Sequence, residues 1–274
     1  MLAEIVLVVT AAVLGSLLGS FLNVCVYRLP RNESIVRPRS HCPSCGATIA
    51  WYDNVPILSW LALRGRCRQC RARISVQYPL VEAATALAWA GATWWWGPTW
   101  DALAAAVLLT LLLGILLTDA QHFVIPDELS LGGLGAGFAL SFFTDRISPV
   151  FAVIGAVTGF ALLWVVKVGG DWALRRGLIG GEEVQRTLGP EEPPSAMGGG
   201  DLKMMAMIGV FLGWQGVLAT AFLGALAGTL VYLPLLLRRT KPLVPFGVYL
   251  AVGAAAWLVL GDRLTAWYLG FLRP

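Results

Sequence analysis

The chain has 274 residues, 57% hydrophobic and 13% charged, with twelve tryptophans and a formal net charge of +4. A soluble protein of this length needs far more charge to cover its surface, so the composition excludes an ordinary soluble domain and predicts an integral membrane protein. The small positive balance carries no interleaving of aromatic and basic residues, which argues against nucleic acid as a partner and for contact with a lipid bilayer.

A helix needs about 20 apolar residues to cross the hydrocarbon core. In chain order the qualifying stretches are roughly 2–26, 79–96, 101–118, 129–144, 149–168, 202–214, 215–237 and 243–261. The expected fold is therefore an all-α polytopic membrane protein with about eight transmembrane helices. Residues 202–237 read either as one kinked helix or as two joined at Gly213-Trp214-Gln215-Gly216. The first span lacks a basic leading segment, is too long for a signal peptide, and has its positive charge behind it. It is read as a retained helix with its N-terminus outside.

Alternating the spans puts 27–78, 119–128, 169–201 and 238–242 inside. Of the twenty Lys and Arg residues, only Arg146, Arg263 and Arg273 then fall outside, as the positive-inside rule expects. The outer turns "WWWGPTW" and "GW" supply an interfacial aromatic belt. The tail "DRLTAWYLGFLRP" reads as a short amphipathic segment along the outer interface. No internal repeat is evident.

The largest polar insertion, 27–78, holds Cys42, Cys45, Cys67 and Cys70 as two CxxC pairs. Each pair makes a tight knuckle whose thiolates face one ion, and two knuckles complete a tetrahedral site, here assigned to zinc. Gly46 and Gly65 suit the turns. Two disulfides are the competing reading, disfavoured because this loop is expected on the reducing cytoplasmic side. With every ligand a protein thiolate, the site is expected to be structural. Cys25 reads as a small buried hydrophobe, and His41 and His122 both read as ordinary polar positions rather than ligands or bases.

Asp119 ends the third span and Asp201 opens the sixth, behind Gly198-Gly199-Gly200. The topology places both carboxylates at the inner face, on different helices. Two carboxylates at close range share one proton, which lets the pair act as base and acid in aspartic-protease chemistry. The glycines would adopt positive φ and let a peptide backbone approach. A second reading makes Asp127, Glu128 and Asp201 helix caps. Pro126-Asp127 reads as a helix start. Asp119 resists that reading, since an anion at a helix C-terminus opposes the local dipole. Lys203, two residues past Asp201, either biases its ionisation or anchors the helix to lipid phosphate. A proton or ion relay also stays open.

At these residues the sequence resembles the bacterial prepilin peptidases, the type IV leader peptidase family. "GSFLNVCVYRLP" is similar to the family's N-terminal signature, and "CPSC…NVPILSWLALRGRCRQC…ISVQYPLVE" to its cysteine loop. "TDAQHFVIPD" resembles the first catalytic motif and "AMGGGDLKMMAMIGVFLG" the GxGD motif, although Thr118 stands where members often carry an apolar residue.

The resemblance implies that Asp119 and Asp201 are catalytic, with Gly198, Gly200, Lys203, Pro126 and Asp127 as site support. It implies a first helix at 1–26, a zinc-binding loop domain at 27–78 and a transmembrane peptidase domain at 79–274. The implied substrates are type IV prepilins or type II secretion pseudopilins at a bacterial cytoplasmic membrane. Their basic leaders are cut after a glycine that precedes an apolar helix. Glu182, Glu183, Glu191 and Glu192 are expected to meet that leader, in a loop longer and more acidic than the family pattern.

Methylation of the new N-terminus by S-adenosylmethionine is implied as well. The sequence assigns no binding residues to that donor and has no glycine-rich nucleotide fold. Glu82 is a candidate participant, or else a cap. The competing functions are a peptidase with a purely structural zinc loop, and a proton-coupled transporter with the Asp pair as relay. Against the transporter stand the missing inverted repeat and spans almost free of acids.

Overall fold

Long apolar runs become helices here because only a helix satisfies every backbone polar group within lipid. The computed structural model describes residues 2–178, 195–237 and 245–272. The acidic-loop glutamates and the cations at 238, 239 and 241 lie outside those residues. The helices are α1 (Leu2–Arg28), α2 (Leu58–Ala62), α3 (Gln77–Trp96), α4 (Trp100–His122), α5 (Asp127–Leu140), α6 (Pro149–Arg175), α7 (Gly199–Leu237) and α8 (Phe246–Leu272). Five of them, α1, α4, α6, α7 and α8, are long and apolar enough to cross a membrane. The eight expected stretches fall on seven long helices among the described residues. Those at 202–214 and 215–237 share α7, which breaks at Gly213 (φ 68°, ψ −178°). The expected separate tail segment is instead the continuous end of α8.

The chain divides into two units, residues 1–129 with 143–146, and residues 130–142 with 147–274. In the first unit α1 packs along α3, and α4 flanks both. Small residues permit the approach. A methyl group at Gly15 would stand 2.6 Å from the Thr85 carbonyl, and one at Gly19 would stand 2.8 Å from Glu82 Cα. Asn23 ties the same helices together, donating to the carbonyls of Gly19 at 3.2 Å and Tyr78 at 3.1 Å. Buried Arg28 then folds the following chain back, through the carbonyls of Ser34 and Pro38, each at 2.8 Å. The segment 19–30 is therefore a packing signature.

In the second unit α7 lies against α6 and α8. Met204, Met205, Met207 and Ile208 are fully buried. Gly155 and Gly159, one turn apart on α6, meet the backbone of Gly209 and Met205 so closely that any side chain would overlap it. This small-xxx-small stripe replaces the hydrophobic driving force, which is missing between helices in lipid.

Outward faces are strongly apolar. Ile5, Val6, Val9, Val13, Leu17 and Phe21 are exposed on α1, as are Val150, Val157, Phe160, Trp164 and Val165 on α6. Bands of this extent are unstable in water and natural in lipid.

Candidate active-site residues and a four-cysteine centre

Two short stretches of the cysteine loop fold alike. Each begins at a cysteine whose N–H donates to the carbonyl five residues on, Cys42 to Ala47 and Cys67 to Ala72, both at 2.9 Å. Gly46 N–H returns to Cys42 at 2.8 Å, and Arg71 N–H returns to Cys67 at 3.1 Å. The turn position between them is left-handed in both, φ 70° at Gly46 and φ 61° at Arg71. The chain therefore does contain a small internal repeat, "CPSCGATI" and "CRQCRARI", contrary to expectation. Gly46 and Arg71, not Gly46 and Gly65, are the matching turn residues. Gly65 is also left-handed, φ 64°, in the turn ahead of the second knuckle, and it makes room for the Trp60 ring, since a side chain there would stand 2.8 Å from that ring.

The knuckles bring all four sulfurs within 4.8 Å of one another. Cys42 and Cys70 Sγ lie 3.8 Å apart, a separation close to that of two thiolates on a tetrahedral ion with bonds of about 2.3 Å. None of the four is disulfide-bonded. N–H groups of Cys45 and Ser44 aimed at Cys42 Sγ lower its pKa to about 6. The Ala72 N–H acts on Cys70 in the same sense, but the crowding thiols outweigh it and raise Cys70 to about 11. Such a cluster favours a cation that neutralises it, and the donor set fits a metal ion.

The centre is braced on its own loop. Arg68 grips Asp53 through both carboxylate oxygens, at 2.7 and 2.5 Å, and its guanidinium holds the Asp53 carboxyl below its ordinary range. Glu82 sits six residues into α3, past the first turn, so it is not a cap. Its buried carboxylate accepts the Ile57 N–H at 2.7 Å.

Asp119 lies in the last turn of α4 and is buried, 6% exposed. Its carbonyl accepts the Phe123 N–H at 2.9 Å, closing the helix. Preceding Thr118 is fully buried and turns its hydroxyl onto the Gly114 and Ile115 carbonyls, both at 3.1 Å. The hydroxyl is thereby satisfied within the helix, which explains a threonine at this apolar position. Asp127 opens α5 directly after Pro126, as the sequence predicted. Leu129 N–H bonds the Pro126 carbonyl at 3.2 Å.

Asp201 lies in the first turn of α7, a position whose dipole favours an anion. Gly199 and Gly200 already belong to that helix, and none of the three preceding glycines has positive φ. The expected positive φ is replaced by a helix start at Gly199. An added methyl at Gly198 would lie 3.5 Å from Asp201 Oδ2, while at Gly199 nothing stands within 4 Å. Lys203 is half-buried beside buried Leu202 and Met204. Asp119 belongs to the first unit and Asp201 to the second.

Sequence reading passed over Lys167, Asp171 and Ser195, which meet just ahead of Asp201. The signal was faint: a lysine and an aspartate one helical turn apart near the end of an apolar span.

The description "Bacterial Peptidase A24 N-terminal domain" matches residues 13–96, and "Type IV leader peptidase family" matches residues 106–233. The chain is 36% identical to the prepilin leader peptidase/N-methyltransferase of Aeromonas hydrophila, across 92% of this chain and 90% of that protein. A Pseudomonas aeruginosa protein of the same name is 36% identical, across 96% and 94%. One from Myxococcus xanthus is 39% identical, across 84% and 63%. No solved structure gives a significant match.

Proposed function

The chain belongs to the type IV leader peptidase family, and from that premise we propose that it is a membrane-embedded aspartic endopeptidase acting on type IV prepilins or type II secretion pseudopilins. One observation carries the residue assignment: Asp119 is a buried carboxylate at the C-terminal end of a membrane helix, against the helix dipole. Neither capping nor solubility accounts for it. Asp201 is its partner, on a helix end of the opposite polarity.

With one proton between them, the ionised carboxylate takes a proton from water as the oxygen attacks the scissile carbonyl carbon. The protonated carboxyl then donates to the departing amide nitrogen. The titration belongs to the pair. Gly198, Gly200, Lys203, Pro126 and Asp127 support this site. S-adenosylmethionine, when bound, would supply a methyl group for the new N-terminal amine.

Cys42, Cys45, Cys67 and Cys70 hold a structural zinc ion, which would lock a loop with few apolar anchors. The charge bias supports an inner-membrane protein with its N-terminus outside and the aspartates and cysteine loop facing the cytoplasm. We keep the functional division of 1–26, 27–78 and 79–274.

Cleavage of a purified prepilin tests the reading. Asp119→Asn and Asp201→Asn should each lower kcat by about 10²–10⁴-fold. Cys67→Ser should release the metal and lower stability and methylation more than cutting. Undiminished cleavage by both Asn variants would remove the assignment.

A further inference from the structure

Between the end of α6 and the start of α7, three polar side chains join across a gap of some thirty residues in sequence. Lys167 Nζ donates to Ser195 Oγ, and to the Met197 carbonyl at 3.0 Å. Ser195 Oγ donates to Asp171 Oδ1 at 3.2 Å, and the Ala196 N–H donates to the same oxygen at 2.7 Å. Lys167 and Asp171 pair at 3.3 Å, one turn apart on α6. Gly170 leaves the room: a methyl there would lie 2.5 Å from Ala196 Cβ. Three consecutive residues, Ser195 to Met197, are thus fixed to α6 immediately before Gly198-Gly199-Gly200-Asp201.

We propose that Lys167, Asp171 and Ser195 form a latch that positions Asp201. The reason is geometric. Residues 198–200 are glycines, which carry no side chains to fix the helix start. Orientation of the first turn of α7 draws on the chain ahead of it and on packing behind it. The packing behind begins at Leu202 and Met204. Ahead, the latch supplies side-chain hydrogen bonds to residues 195–197. A polar network at the membrane rim is satisfied throughout, so it holds one arrangement.

The same atoms could suggest a Ser195 nucleophile with Lys167 as base. That chemistry needs a neutral lysine, whereas Nζ here already faces the Asp171 carboxylate. Lys167, Asp171 and Ser195 are therefore positioning residues.

The latch rests on the reading of Asp201 as catalytic, and the test separates the two. Steady-state cleavage of a prepilin by the full chain in detergent is measured for Asp201→Asn, Asp171→Asn, Lys167→Met, Lys167→Arg and Ser195→Ala. Asp171→Asn and Lys167→Met should lower kcat by about 10–100-fold with KM within about twofold, as misplacement of a reacting group does. Lys167→Arg should recover most of the loss. The Asp171→Asn/Ser195→Ala double variant should lose little beyond Asp171→Asn alone, since both break one network.

If Asp171→Asn does not fold, Lys167→Met and Ser195→Ala still decide, the latter with an expected fall in kcat of about 10-fold. Parent-like kcat in Asp171→Asn, Lys167→Met and Ser195→Ala, with Asp201→Asn inactive, overturns the latch and leaves the aspartic reading standing. An active Asp201→Asn overturns the reading beneath it. Total loss in Ser195→Ala, equal to that in Asp201→Asn, overturns the positioning role in favour of direct chemistry.

Discussion

The carboxylate of Glu82, buried on α3, accepts the backbone N–H of Ile57 at 2.7 Å, across 25 residues of sequence. Ile57 stands at φ 61°, a conformation that a β-branched side chain resists. One acceptor on α3 thus holds the strained turn of the cysteine loop. Replacing Glu82 by Ala leaves a donor unsatisfied, which costs about 1–3 kcal/mol. Hydrogen exchange at Ile57 and its neighbours should accelerate in Glu82→Ala, and much less in Glu82→Gln, whose amide oxygen still accepts. Unchanged exchange in Glu82→Ala would refute the anchor.

The two knuckles differ at one turn residue, and the difference is measurable. Gly46 adopts φ 70° without cost, while Arg71 adopts φ 61° against its own Cβ. Arg71→Gly should stabilise the loop and Gly46→Ala should destabilise it, each by about 1 kcal/mol. Loss of metal to a chelator reports both, slower in the first and faster in the second. Equal rates in the two variants would contradict the repeat.

Close backbone contact between α6 and α7 predicts a sharp contrast along one helix. At Gly155 any side chain meets the Gly209 carbonyl, whereas Gly169 has nothing within 4 Å. Gly155→Leu should lower the melting point in detergent by several degrees and weaken cleavage. Gly169→Ala should leave both unchanged, or raise stability by a few tenths of a kcal/mol through helix propensity. Similar behaviour of the two would show that the stripe is not where the helices touch.

The Arg68 guanidinium depresses the Asp53 pKa, and the sign of its pH dependence follows. A folded-state pKa below the ordinary 3.8 means stabilisation that is complete above that value and is lost as pH falls through the depressed one. The Asp53 carboxyl resonance should titrate below 3.8 in the parent and return toward 3.8 in Arg68→Gln. The Arg68 side chain faces solvent, so salt should narrow the difference.

Much of this was legible along the chain. The cysteine spacing, the break at Gly213 and the places of Asp119 and Asp127 at helix ends all follow from local chemistry. Gly198 to Gly200 misled because glycine allows a left-handed backbone without requiring one, and here tight packing of Met204 and Met205 carries the helix back over two of them. Glu82 with Ile57, and Lys167 with Ser195, stayed hidden for another reason. They pair across 25 and 28 residues, where no period links the partners. The repeat escaped because Arg71 occupies a turn where glycine is expected.

The break at Gly213 has a consequence for the surrounding lipid. Ahead of it α7 runs for only 199–212, the same length as the fourteen-residue α5. Gly137 of α5 packs on Val210 and Phe211 of that stretch. Both are about 21 Å long at 1.5 Å per residue, beside a hydrocarbon layer about 30 Å thick. A bilayer crossed by this pair would pinch inward around it, at a fraction of a kcal/mol per ångström of mismatch. Headgroups and water would thereby be drawn toward the ends of these two helices.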